Sequence, residues 1–122
     1  MIRVLVVDDH ELVRESVSIA LLAAGGIDIV GTCADGYEAV LAAAQTHPDV
    51  ILMDLSMPRL NGLDATRQLL KQDPALQVVI FTSAADGPQV TDALKIGAVS
   101  CVFKGAGTAE VVRAVRAAAP LG

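Results

Sequence analysis

Five short apolar runs, each followed by a stretch of helical period, leave this chain few folds to adopt. The runs are Arg3–Val7, Ile27–Gly31, Val50–Met53, Val78–Phe81 and Ser100–Phe103. They are rich in β-branched residues and mostly unbroken, where a half-exposed strand would alternate. Such runs suit parallel strands covered by helices on both faces. The stretches between them carry apolar residues three, four and seven apart. Val13, Val17, Ala20 and Leu21 form the first such face, stopped by Gly25-Gly26. Asp35 and Glu38 stand in capping-box spacing before Ala39, Val40 and Ala43, and Pro48 closes that segment. Asn61 is placed to cap a helix carrying Leu63, Leu69 and Leu70, ended by Asp73-Pro74. Asp86 precedes Pro88, Val90, Ala93 and Leu94, with Gly97 as the stop, and Thr108 is the expected cap of a last helix facing inward through Val111, Val112, Val115 and Ala118.

A strand–helix unit repeated five times predicts an α/β fold, a doubly wound (βα)5 sandwich over a five-stranded parallel sheet. Five strands are too few for a closed eight-stranded barrel, so the sheet is open, and the expected order is 2-1-3-4-5. The 122 residues suit one domain, expected over 1–119, with 120–122 opening a linker and any output domain lying outside this chain. Hydrophobic residues make up 53% and aromatic ones 2%, so the core must be built from Val, Ile, Leu and Ala. A net charge of −5 argues against nucleic-acid binding by this domain, which would need clustered Lys and Arg. No apolar run approaches the roughly 18–20 residues of a membrane span, and the N-terminus lacks signal-peptide features, so no membrane association and a cytoplasmic location are expected. Cys33 and Cys101 fit that compartment and stand in no metal-binding or redox spacing. In the expected order they lie on opposite sheet edges, roughly 19 Å apart. A disulfide needs Cα atoms within about 7 Å, so none is expected.

Open sheets of this kind build their sites beyond the carboxyl ends of the strands, where the strand order reverses. Here that edge receives Asp8-Asp9 after the first strand, Asp54 after the third, Thr82-Ser83 after the fourth and Lys104 after the fifth. Three carboxylates brought together repel one another, and a hard divalent cation relieves that repulsion through oxygen ligands, as Mg²⁺ does with one or two carboxylates. One carboxylate then stays ionised and acts as a nucleophile toward a phosphoryl group. A lysine ammonium and a threonine hydroxyl suit the equatorial phosphoryl oxygens. Each of these residues has an ordinary alternative as a cap, a loop carboxylate or a solvated charge; their convergence on one edge favours chemistry. His10 and His47 read as exposed and loop residues, and Arg113 and Arg116 as the polar face of the last helix.

The segment Asp54-Leu55-Ser56-Met57-Pro58-Arg59-Leu60-Asn61-Gly62-Leu63, with Val-Val-Asp-Asp-His at 6–10 and Phe-Lys-Gly-Ala at 103–106, resembles the receiver family of two-component response regulators from Val4 to Ala118. The Asp-Asp-His start, the Lys-Gly pair and the Ile96-Gly97-Ala98 turn look most like its LuxR-type subfamily, whose members usually carry a C-terminal helix-turn-helix domain. The resemblance implies a flavodoxin/receiver-like fold and a phosphorylation-activated switch, a signalling domain in place of an enzyme. Asp54 would accept a phosphoryl group from a sensor histidine kinase. Mg²⁺ would be held by Asp9, Asp8, Asp54 and the backbone carbonyl of Ser56, with Thr82 and Lys104 meeting the phosphoryl group. Ser56 and Ala84 fall where the family tunes dephosphorylation. Output would be transcriptional, through DNA binding by a further domain, with a homodimer through the face of the fourth helix, fifth strand and fifth helix, or through the first and fifth helices. One departure is Cys101, where the family usually has the Tyr or Phe of its switch; Phe103 shares its strand face and is the candidate substitute. Gly105 replaces a frequent proline. Two other classes remain. A phosphate-independent degenerate receiver or flavodoxin-like binding module rests on Cys101. A haloacid-dehalogenase-type phosphatase would want a second carboxylate at position 56, where this chain has serine.

Overall fold

The computed structural model describes residues 1–83 and 87–120. Its strands are β1 (Ile2–Val7), β2 (Ile27–Cys33), β3 (Val50–Met53), β4 (Gln77–Thr82) and β5 (Ser100–Phe103). All pair in parallel, in the order β2-β1-β3-β4-β5. The helices are α1 (Glu11–Ala24), α2 (Gly36–Thr46), α3 (Gly62–Gln72), α4 (Pro88–Ile96) and α5 (Thr108–Ala118). The expected doubly wound (βα)5 architecture is therefore what forms, and the reversal of strand order falls between β1 and β3.

Alternation along the strands sorts the core into two layers. Leu5, Val7, Ile51, Met53, Val78 and Ile80 pack with α2, α3 and α4. Val4, Val6, Val50, Leu52, Val79, Phe81 and Val102 pack with α1 and α5. Every residue of β3 is buried, as an unbroken apolar run in a central strand requires. Burying each such side chain contributes about 1.5–3 kcal/mol.

Several boundaries differ from the sequence expectation, each for a local reason. β2 runs two residues past Gly31, because the register with β1 shifts between Val4 and Leu5 and the ladder then resumes through Thr32 and Cys33. Asp35 caps α2 by accepting from the Glu38 amide at 3.0 Å, and Asn61 caps α3 by accepting from the Asp64 amide at 3.0 Å, as expected. Asp86, read as preceding α4, lies outside the described residues; Gly87 is the cap and Pro88 takes the first helical position, where its missing N–H costs nothing. Thr108 is not the cap of α5 but its first residue. The short 3₁₀ turn Lys104–Ala106 hands the chain to Gly107, whose φ of 93° suits a residue without Cβ and which becomes the cap.

Arg113 is exposed and pairs with Glu110, but Arg116 is more than a solvated charge. Its guanidinium donates to the carbonyls of Ala24 at 2.6 Å and Gly25 at 3.1 Å, covering acceptors at the end of α1. Cys33 and Cys101 are free thiols, on the two edge strands. Burial pushes the Cys33 thiol up to about 11, with Glu38 and Asp35 adding to the effect. No helix among the described residues is long and apolar enough to cross a membrane.

Candidate functional site

The sheet ladder itself delivers two carboxylates to the carboxyl edge. The Asp8 amide donates to the Cys33 carbonyl at 3.0 Å, and the Asp54 amide to the Val7 carbonyl at 3.0 Å. Each aspartate is thus one rung beyond its strand, with a backbone as fixed as the strand's own. Both side chains are enclosed, Asp8 at 1% exposed and Asp54 at 4%. Lys104 joins them. Its ammonium lies 2.7 Å from Asp8 Oδ2 and 3.4 Å from Asp54 Oδ1. Its Nζ also sits 5.3 Å from the centre of the Phe81 ring, within cation–π range.

The remaining contacts hold Asp8 and Asp54 in place. Asp8 Oδ1 accepts from the His10 amide at 2.9 Å, and the Asp8 carbonyl accepts from Arg14 at 2.7 Å. Asp54 Oδ1 accepts from the Ser56 amide at 3.3 Å. Gly62 closes the loop after Asp54 by donating to the Leu55 carbonyl at 3.1 Å. A Cβ there would collide with the Asp54 carbonyl oxygen, so only glycine permits so close an approach.

The electrostatics follow from this inventory. Burial, and then the charge of Asp8, push the Asp54 carboxyl up to about 6 against the opposing pull of Lys104 and the Ser56 amide. Burial alone would lower the Lys104 ammonium, but its hydrogen bond to Asp8 and the charges of Asp54 and Asp8 outweigh that and hold it raised. The carboxylates of Asp8 and Asp54 flank the Lys104 ammonium, with the Asp9 carboxylate beside His10 and the Arg14 guanidinium on the Asp8 carbonyl. The edge is short of positive charge, and its acceptors are hard oxygens.

Of the residues expected at the site, Lys104 reaches both Asp8 and Asp54. Asp9 lies at the rim, 3.0 Å from His10 Nδ1. His10 is exposed, as expected, yet its ring nitrogen and the carboxylates of Asp8 and Asp9 lie within 4.8 Å of one another. Thr82 is buried at the end of β4, opposite Phe103 in the register with β5. Ser56 is exposed, with its amide turned to Asp54. Cys101 packs partly buried on the α4 side, whereas Phe103 is 46% exposed, its ring beside Gly105. Ala84 lies outside the described residues. Phe81 and Arg14 were not singled out in the sequence. Phe81 read only as strand core, and nothing local marks a helix arginine that turns back to a strand-end carbonyl.

Residues 4–116 match the model of the response regulator receiver domain. The chain belongs to that family. The response regulator GacA of Pseudomonas viridiflava is 46% identical over 116 residues, which are 95% of this chain and 54% of that protein. The chain thus spans about half the length of such relatives. The crystal structure of the response regulator domain of Thermotoga maritima CheB superposes with a TM-score of 0.90 at 32% identity, covering 97% of this chain and 96% of that one. A two-component response regulator of the LuxR family from Aurantimonas sp. SI85-9A1 does so with a TM-score of 0.89 at 35% identity, covering 94% of this chain and 82% of that one. The receiver is of the LuxR type, a signalling domain of two-component systems.

Proposed function

We propose that this receiver is a switch that accepts a phosphoryl group on Asp54 from the phosphohistidine of a sensor histidine kinase. The observation that carries the reading is the buried Asp54–Lys104–Asp8 constellation, in which a nucleophilic carboxylate and an ammonium are held 3.4 Å apart. Asp54 attacks phosphorus, forming an O–P bond as the P–N bond to the kinase histidine breaks. Lys104 would stay with the new dianion as a point charge, and the Thr82 hydroxyl would donate to a phosphoryl oxygen. The Ser56 amide steadies the attacking carboxylate.

A divalent cation fits this edge, because the acceptors are carboxylate oxygens and the net charge of Asp8, Asp9, Asp54 and Lys104 is that of two uncompensated anions. Asp9, Asp8, Asp54 and the Ser56 carbonyl would hold Mg²⁺. When bound, it supplies positive charge shared between the carboxylates and the phosphoryl oxygens. The domain modifies and dephosphorylates itself and turns over no other substrate.

A phosphoryl group alters output only by favouring one of two conformations. The change would pass from Thr82 and Lys104 to the face of α4, β5 and α5. Cys101 removes the usual ring from that face, and Phe103 is the aromatic available to it. The relatives' length supports an output domain beyond a linker starting near 120, acting on DNA in the cytoplasm. The α4–β5–α5 face, or α1 with α5, would form a homodimer.

Titration with beryllofluoride and Mg²⁺, followed by amide NMR, tests the reading. Saturable shifts at Asp9, Asp54, Thr82 and Lys104 are expected, and Asp54→Asn should remove them. Uptake of phosphate from acetyl phosphate undiminished in Asp54→Asn would sink the assignment. Shifts confined to the Asp54 loop would overturn the coupling to β5.

A further inference from the structure

The loop from Asp54 to Gly62 is fastened at two levels. At its base, Gly62 donates to the Leu55 carbonyl. At its crown, residues 59 and 60 are tied to the start of α2, an element that contributes nothing to the carboxylate cluster. The Gly36 amide donates to the Leu60 carbonyl at 3.0 Å. Arg59 Nε donates to Asp35 Oδ2 at 2.9 Å, and its Nη2 donates to the same oxygen. The Arg59 guanidinium also lies 5.7 Å from the centre of the Tyr37 ring.

Two features separate this arrangement from an ordinary surface ion pair. Asp35 is enclosed, its side chain 7% exposed, and its two oxygens are divided between two elements. Oδ1 accepts from the Glu38 amide at the head of α2, while Oδ2 holds the arginine. Arg59 itself has φ of 64°, in the left-handed region. A residue other than glycine held there costs about 1–3 kcal/mol and persists only where the surroundings impose it. Here the carboxylate and the ring do so.

We propose that the Asp35–Arg59 pair is a positioning latch for phosphoryl acceptance, fixing the crown of the loop so that the Ser56 amide stays on Asp54. Arg59 touches neither Asp54 nor the phosphoryl group; it acts on the Ser56 amide through Met57 and Pro58. The inference rests on Asp54 being the phosphoacceptor.

Two variants remove the latch with little harm to the fold. Arg59→Gly suits the left-handed backbone. Asp35→Asn retains a side-chain acceptor for the Glu38 amide, since asparagine is as good a cap as aspartate. The measurement is the rate of phosphate uptake from acetyl phosphate with Mg²⁺, beside Ser56 amide hydrogen exchange and the thermal midpoint. Both variants should slow uptake by about 3–10-fold, a part of what misplacement of a reacting group can cost. Both should speed Ser56 exchange, and the double variant should be no slower than either single one. Arg59→Lys, which keeps the charge without the fork, should fall between. Uptake within about twofold of wild type in Arg59→Gly, or additive losses in the double variant, would overturn the latch. Asp54→Asn in the same assay separates the two levels: uptake that survives it defeats the phosphoacceptor reading, and the latch with it.

Discussion

Asp54 and Asp35 are both carboxylates folded into the interior, at 4% and 5% exposed, yet they are pushed in opposite directions. Burial and the neighbouring Asp8 raise Asp54 to about 6. Burial acts on Asp35 in the same sense, but the Glu38 amide, the Arg59 guanidinium and the Tyr37 amide outweigh it, so its carboxyl lies below the usual value. Asp54 has one amide at 3.3 Å and a lysine that sits closer to another carboxylate. Burial therefore does not decide how a carboxylate behaves; the donors that accompany it do. Asp35 has its oxygens satisfied and serves as an anchor. Asp54 is left short of donors and charge, the condition that the proposed phosphoacceptor role needs.

The largest test of this contrast is Lys104→Ala. It strips the side-chain cation that, among the described residues, lies within salt-bridge range of Asp54, and leaves Asp8 and Asp54 buried without it. Urea unfolding at pH 8 with chelator present should show a loss of about 2–4 kcal/mol. The loss should shrink as pH falls to about 6, because Asp54 is raised to about 6 with the lysine present and sits higher still without it, so it takes up a proton there. Asp54→Asn should have the opposite sign. A carboxyl raised in the folded state holds its proton there at a pH where the unfolded chain has lost it, so stability falls as pH rises through the window from 3.8 to about 6. Metal-free Asp54→Asn should therefore be more stable than wild type by about 1–3 kcal/mol at pH 8, with the gain gone below about pH 4.

Asp35 should show the reverse profile and a smaller size. A carboxyl lowered in the folded state contributes stability above its ordinary value and loses it as pH falls through the lowered one. Asp35→Ala should cost about 1–2 kcal/mol at pH 7 by removing both the cap and the arginine's partner. Asp35→Asn should cost less, because the cap remains. A loss that grew on acidification would contradict the assignment. The smallest effect belongs to Arg116→Ala, about 0.5 kcal/mol in thermal or urea unfolding, since its bonds to the α1 carbonyls are exposed.

Much of this was legible before folding because periodicity carries it. Unbroken apolar runs 4–7, 50–53 and 78–81 announce strands covered on both sides, and once the strands are placed, the residues ending them must share an edge. The positions of Asp8, Asp54, Thr82 and Lys104 at the strand ends follow from that logic, as do the caps at Asp35 and Asn61, whose signals lie within three residues of where they act. The boundary at Gly31 and the cap of α5 were misplaced, since a register shift between β1 and β2 and the left-handed turn at Gly107 depend on neighbours that local pattern does not contain.

What the sequence by itself determined is the fold and the identity of the groups at its carboxyl edge, because both follow from side-chain type at fixed spacing. Only the tertiary structure decided how those groups share charge. That Lys104 lies nearer Asp8 than Asp54, that Phe81 backs the ammonium, and that Asp35 spends one oxygen on its own helix and the other on Arg59, 24 residues away, are distances between distant parts of the chain. Coulomb and hydrogen-bond energies depend on such distances, and no run of residues encodes them locally.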